Sequence, residues 1–192
     1  MIKTENSFLT KSELREIGFK YLGDNVYISR KASIYSPKEI SIHDNTRIDD
    51  FCIISGKISI GKNVHIAAYS GLFGGKAGIK IEDFANVSSR VCIYALSDDY
   101  KGNGMTNPTI PDTFKKTEEK EVIIKKHVII GSGSTILPGS TLNEGVAVGA
   151  MSMVKGISEA WMIYAGIPAK AINARRKDII EEYERQYLNS IK

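Results

Sequence analysis

Residues 130–154 read IGSGSTILPGSTLNEGVAVGAMSMV, and an aliphatic side chain returns at every sixth position: Ile130, Ile136, Leu142, Val148 and Val154. A helix repeats at 3.6 residues and a half-buried strand at two, so neither produces a beat of six. Going upstream, the beat continues at Ile124. Beyond a long interruption it resumes through Ile93, Val87 and Ile81, then Leu72, Ile66 and Ile60. It runs on through Ile54, Ile48 and Ile42 to Ile34, Ile28 and Leu22. A unit this short cannot bury its own apolar side until it stacks on copies of itself, so the pattern predicts an all-β solenoid of parallel strands. Three hexads make one turn of about 18 residues, with three short flat sides and three tight corners.

The other hexad positions fit that geometry. The fifth carries small or β-branched residues: Val26, Ala32, Thr46, Cys52, Val64, Ser70, Ala85, Val91, Ser97, Val128, Ser134, Ser140, Val146 and Ser152. Side chains converge near a corner there, so the position must be narrow. Glycine recurs at the second position (Gly61, Gly131, Gly149), and asparagine stands at corners (Asn25, Asn45, Asn63). Both residue types tolerate the positive φ that a sharp corner can require. Extra residues enter at one place in the cycle, after Ile34, after Leu72 and, as a long insertion, between Ile93 and Ile124. Solenoid insertions gather on one face, often the binding face.

Outside the beat, Thr10 and Glu13 form a capping-box pair for a helix over 10–17, with Gly18 at its end. Residues 1–21 read as an N-terminal helical cap, 22–173 as the solenoid with its insertion at 98–121, and 174–192 as a C-terminal helix whose apolar side carries Ile179, Ile180, Tyr183 and Tyr187.

Composition narrows the function classes. The 192 residues carry a net charge of +4 with no basic stripe interleaved with aromatics, which argues against nucleic acid. The two cysteines, Cys52 and Cys92, are too far apart for a metal motif and imply no disulfide framework. Cys52 reads as a small inward residue. No segment approaches the roughly 20 apolar residues of a membrane span, so a cytoplasmic location is expected. The histidines, His43, His65 and His127, fall at three different hexad positions without the paired spacing of a zinc site, so no metal is expected. His43 and His127 read as exposed edge or corner residues.

The stacked hexads, the stretch 130–154 and the coda YAGIPAKAI (164–172) resemble the hexapeptide-repeat acyltransferases. The likeness covers roughly 20–173 and is nearest the galactoside, maltose and xenobiotic acetyltransferases and the sugar acetyltransferases of surface-polysaccharide synthesis. It implies a left-handed β-helix, a homotrimer and acetyl-CoA in a groove between subunits. The implied function is acetyl transfer to a hydroxyl or amine of a sugar, with a nucleotide- or lipid-linked precursor as acceptor.

In that family the base is a histidine in the large loop, and counting from Ile93 puts Asp98 at its position. No histidine lies between 66 and 126. Two candidates for the base follow: Asp98 itself, or His65, the sixth residue of its hexad, which points outward one turn below Asn86. An imidazole suits proton transfer near neutral pH, and Asp98 or Asp99 would orient it. The bland reading leaves His65 stacked on the outer surface. The arm 98–121 is too long for a passive corner. Its Asp99, Tyr100, Met105 and Asn107, with Asn86, are the acceptor-binding candidates. For coenzyme A the resemblance points to Ser132, Ala150, Lys155 and Lys170. Relatives carry an arginine three residues after the last of these, where this chain has Asn173, and Arg175 or Arg176 is the substitute.

An amine nucleophile needs a strong base less than a hydroxyl does, so the missing loop histidine tilts the reading toward N-transfer without deciding it. A non-catalytic trimeric scaffold and a metal-dependent γ-type carbonic anhydrase are the rival readings.

Overall fold

The computed structural model describes residues 7–191 and contains a β-solenoid whose strands pair almost entirely in parallel. Three faces repeat. The first stacks Tyr21–Leu22, Ile40–Ile42, residues 58–60 and 79–81, Val122–Ile124 and Thr141–Leu142. The second stacks Tyr27–Ile28, Arg47–Ile48, His65–Ile66, Asn86–Val87, Ile129–Ile130 and Ala147–Val148. On the third, Ser33–Tyr35 and residues 53–55 and 71–73 lead to Cys92–Tyr94, Thr135–Ile136 and Met153–Val154.

The beat of six is the interior. Ile48, Ile66, Val87 and Ile130 pair residue on residue, each fully buried. Burying one such side chain is worth about 1.5–3 kcal/mol. The narrow fifth positions turn inward too, and their hydroxyls close on corner carbonyls: Thr46 Oγ1 donates to Gly61 O at 2.8 Å and Ser134 Oγ to Gly149 O at 2.9 Å. Among the described residues no buried side-chain polar atom lacks a partner. Cys52 lies in this column, fully buried.

Of the two corner expectations, the one for asparagine holds and the one for glycine is corrected. Asn25, Asn45 and Asn63 do take positive φ, at 54°, 57° and 55°. Gly61, Gly131 and Gly149 do not; close approach explains Gly61 and Gly131. A Cβ on Gly131 would stand 2.5 Å from the Ala150 nitrogen, and one on Gly61 2.8 Å from the Asp83 nitrogen. Large side chains also occupy left-handed corners, at Phe51, Tyr69, Phe84 and Trp161. The strain of about 1–2 kcal/mol at each is outweighed by the stack that the corner completes.

The beat stops at Ala95, the last buried residue before the arm. Ser97, counted above as an inward fifth position, instead pairs in an antiparallel ladder, Leu96–Ser97 with Glu118–Glu119, that closes the base of the arm.

Both ends are capped. Helix α1 (Lys11–Ile17) has the Thr10–Glu13 capping box and the left-handed Gly18 that the sequence predicts. Residues 1–6 of the expected N-terminal cap lie outside the described residues. At the other end Met162–Gly166 pairs with Ala169–Ala174 as an antiparallel hairpin, so the C-terminal helix begins later than 174: α2 is Asp178–Ser190. It lies back along one corner. Glu184 joins Lys126 Nζ at 2.6 Å and His127 Nε2 at 2.8 Å, and the Tyr187 hydroxyl donates to Asn63 Oδ1 at 3.0 Å. His127 is therefore not an exposed edge residue. It is 8% exposed and stacked on Phe84 at 5.2 Å, because α2 covers its corner. His43 is half-buried against Tyr21.

Because each inward aliphatic touches the turns above and below, Ile66→Ala is expected to cost about 2–5 kcal/mol in urea denaturation. Gly131→Ala, which adds atoms only where the next turn's backbone lies, is expected to destabilise as well. A Gly131→Ala protein as stable as the parent would contradict the close-approach account.

Candidate active site

The insertion corner builds a cavity of about 960 Å³. Its floor is the third face. Phe73 and Tyr94 follow the inward Leu72 and Ile93 one turn apart, so both project outward; their rings stack at 5.0 Å and 10°. Thr135, Leu137, Met153 and Lys155 extend the floor along the axis. The arm forms the walls, contributing Asp98, Asp99, Tyr100 and Asn107. A cavity of this size lies within the range that holds a nucleotide-sized ligand.

Within the arm the two aspartates do different work. Asp99 accepts the backbone N–H groups of Lys101, at 2.9 Å, and Asn103. The Lys101 bond leads in holding its carboxyl below the usual aspartate value. Asp99 thus ties the turn. Asp98 accepts one backbone bond, from Asn107 N at 3.2 Å, and is exposed, so it keeps acceptor capacity toward the cavity. Asn107, at φ 77°, spends its side-chain oxygen on Thr109. Tyr100 is 94% exposed. Met105 bridges to Lys115 inside the arm and does not line the cavity.

A second group occupies the second face. His65 sits between Arg47 and Asn86 in register. Its Nε2 lies 2.8 Å from Asp49 Oδ2 and its Nδ1 3.1 Å from Asn86 Oδ1. Arg47 Nε holds the other Asp49 oxygen at 2.6 Å. Burial pushes the Asp49 carboxyl upward, but the bonds from His65 and Arg47 outweigh it, and the pKa lies below the ordinary value. The carboxylate beside His65 is therefore Asp49, not Asp98 or Asp99 as expected. Both ring nitrogens have partners within the chain.

Between these faces runs a corner of short side chains. Ser89 Oγ and Ser132 Oγ lie 3.3 Å apart, and Met151 N donates to Ser132 O. Ser132 and Ala150, expected near coenzyme A, are thus exposed neighbours on successive turns. Lys155 lines the insertion-corner cavity; Lys170 is exposed on the return strand of the hairpin. Arg175 is corrected. Its Nη1 donates to the carbonyls of His127, at 2.8 Å, and Gly145, at 2.9 Å, which commits the guanidinium to holding the C-terminal segment. Among the described residues no group of three or more His, Cys, Asp or Glu is placed to hold a metal ion.

Phe73, Tyr94 and Asp49 were missed as site candidates. Each immediately follows an inward aliphatic, a signal present in the register.

Residues 39–74 match the family model described as bacterial transferase hexapeptide (six repeats). The dTDP-4-amino-4,6-dideoxy-D-glucose acyltransferase of Escherichia coli is 48% identical over 178 residues, covering 91% of this chain and 92% of that one. AntD, an N-acyltransferase from Bacillus cereus, has been solved with dTDP and 3-hydroxybutyryl-CoA; it superposes with a TM-score of 0.94 at 53% identity, covering 97% of this chain and 99% of that one. An AntD variant bound to dTDP-4-amino-4,6-dideoxyglucose and coenzyme A gives 0.93 at 54% identity, covering 96% and 98%. The solved AntD variants replace either a serine or an aspartate ten positions after it.

Asp49 generates a pH prediction. Its pKa is depressed in the fold, so its pairing stabilises fully above the unfolded value, about 3.9. That contribution fades as pH falls through the lower folded value. Asp49→Asn is expected to flatten the fall in urea midpoint between pH 5 and pH 3; an unchanged slope would show that the carboxylate contributes nothing.

Proposed function

Since the chain belongs to the hexapeptide-repeat, left-handed β-helix acyltransferases, we propose that it moves an acyl group from coenzyme A to the 4-amine of dTDP-4-amino-4,6-dideoxyglucose or a close nucleotide-linked aminosugar. The observation that carries this reading is Asp98, an exposed carboxylate with one backbone partner, set over a cavity floored by stacked rings. An aromatic floor suits the flat face of a base or sugar. Relatives at about half identity act on or bind such an aminosugar.

In the proposed step the amine lone pair attacks the thioester carbonyl and forms the C–N bond. The tetrahedral oxyanion collapses, the C–S bond breaks, and the nitrogen's proton passes to Asp98. Coenzyme A leaves as a thiolate and takes up a proton. Of the serine–aspartate pairs ten apart in this chain, Ser88–Asp98 and Ser89–Asp99, the first is favoured: Asp99 ties its own turn and Ser89 faces Ser132. Ser88 is half-buried on the second face and Asp98 stands over the third. A homotrimer, in which one subunit's second face meets the next subunit's arm, would bring them together. The exposed corner residues Phe51, Tyr69 and Met151 offer an apolar seam for it. Asn86, Asp99, Tyr100, Met105 and Asn107 are assigned to the acceptor side, Asp99, Met105 and Asn107 by shaping the arm. Ser132, Ala150, Lys155 and Lys170 are assigned to coenzyme A.

The acyl group proposed is acetyl, with 3-hydroxybutyryl as the competing outcome. Acyl thioesters of coenzyme A and nucleotide sugars are cytoplasmic metabolites, and the cytoplasm is the proposed compartment; no described helix is long and apolar enough to cross a membrane.

The test is acyl transfer from acetyl-CoA and from 3-hydroxybutyryl-CoA to dTDP-4-amino-4,6-dideoxyglucose, beside the same nucleotide sugar bearing a 4-hydroxyl. Transfer to the amine alone is expected, and transfer to the hydroxyl alone would overturn the assignment. Asp98→Asn should lower kcat by about a hundredfold with the KM for acyl-CoA unchanged. Lys170→Ala should raise the KM for acyl-CoA far more than that for the acceptor. Sedimentation at the mass of three chains is expected, and a monomer active at high dilution would reject the shared site.

A further inference from the structure

The chain Asp49–His65–Asn86 is built as a relay of orientation, and its outer end lies two residues from Ser88 on the same face. Asp49 is an ionised acceptor, so His65 Nε2 must carry a hydrogen to meet it. That settles one end of the ring. The other end, Nδ1, faces the Asn86 amide, whose two ends are an acceptor and a donor.

Two arrangements satisfy every partner. With His65 neutral, Nδ1 is a lone pair, the Asn86 NH2 donates to it, and the Asn86 oxygen faces outward. With His65 protonated, Nδ1–H donates to the Asn86 oxygen, and the NH2 faces outward. One proton on His65 therefore reverses the polarity that Asn86 presents. An outward oxygen accepts a hydrogen bond from an amine and leaves its lone pair free to attack, whereas an outward NH2 competes for that lone pair.

We propose that His65, braced by Asp49, is a positioning residue that decides which end of the Asn86 amide meets the acceptor amine. The inference rests on the aminosugar reading for its consequence in turnover, though not for the coupling between the two side chains. The charged groups facing His65 are Asp49 and Arg47 on the strand below; the Asn86–Val87 strand above carries none. Phe8 covers the Arg47 guanidinium at 5.1 Å, so the brace is itself held from outside.

The first measurement uses the unliganded wild-type protein and needs no assay. Histidine 15N NMR in a pH series should show the neutral His65 ring as its Nε2–H tautomer and the protonated ring with hydrogen on both nitrogens. The Asn86 side-chain amide resonances should move with the same midpoint; an Nδ1–H tautomer, or amide resonances that ignore the His65 titration, would overturn the proposal. The second measurement is the pH profile of kcat/KM for the acceptor, corrected for the fraction of free aminosugar whose amine is protonated, since only the neutral amine attacks. Wild type should show an acid limb at the NMR midpoint. In Asn86→Asp, which offers an oxygen at both ends, that limb should disappear. His65→Phe should lower kcat by about tenfold or more and lose the limb, with the KM for acyl-CoA unmoved. An identical acid limb in wild type and both variants would also overturn it. A wild-type protein that does not acylate the aminosugar refutes the function proposed, and the NMR result then stands alone for the coupling.

Discussion

The stacking of one aliphatic side chain on its equivalent in the next turn underlies everything else in this molecule. Ile48 pairs with Ile66, Ile66 with Val87, and Val87 with Ile130, and burial of each requires both neighbours. This constraint sets the register of all three faces together. A slip by one residue would turn the interior column to solvent and a polar column inward. Once the register is held, every other position has a fixed direction. Corners must be narrow, residues before and after the aliphatic must face out, and insertions can enter only where they leave the stack undisturbed.

The candidate site is a consequence of that rigidity. Phe73 and Tyr94 stack as rings because Leu72 and Ile93 stack beneath them. Asp49, His65 and Asn86 meet on three successive turns because their strands are held in register. Side chains placed by a repeating scaffold give a surface whose orientation costs little to maintain, which is what group transfer between two bound molecules needs. The arm is the opposite kind of element. It leaves the stack after Ala95 and is held by its own short ladder and by Asp99, so it can shape a pocket without bending the solenoid.

Legibility followed the same division. The solenoid, the inward columns, the α1 cap and the insertion corner could all be read from the beat, because a six-residue period is local and repeats many times. Asp98 was legible as an acidic residue in the arm, although its hexad number had no meaning once the stack ended at Ala95. The partner of His65 was misread because Asp49 lies 16 residues earlier and only the superposition of turns brings it near. His127 was misread because α2, far along the chain, folds back to cover it. Arg175 was misread because a cation near a phosphate-binding coda and a half-buried cation held on backbone carbonyls look the same in one dimension.

By itself, the sequence determined the period, and through it the solenoid, the direction of each side chain along the stack and the corner at which the chain departs from it. Those are properties of spacing, and spacing is what a sequence records. Only the tertiary structure decided which outward side chains meet: Asp49 with His65, His127 with Glu184, Phe73 with Tyr94. Hydrogen bonds and ring contacts act over a few ångströms in space, and the fold brings within that range residues that the chain keeps many positions apart.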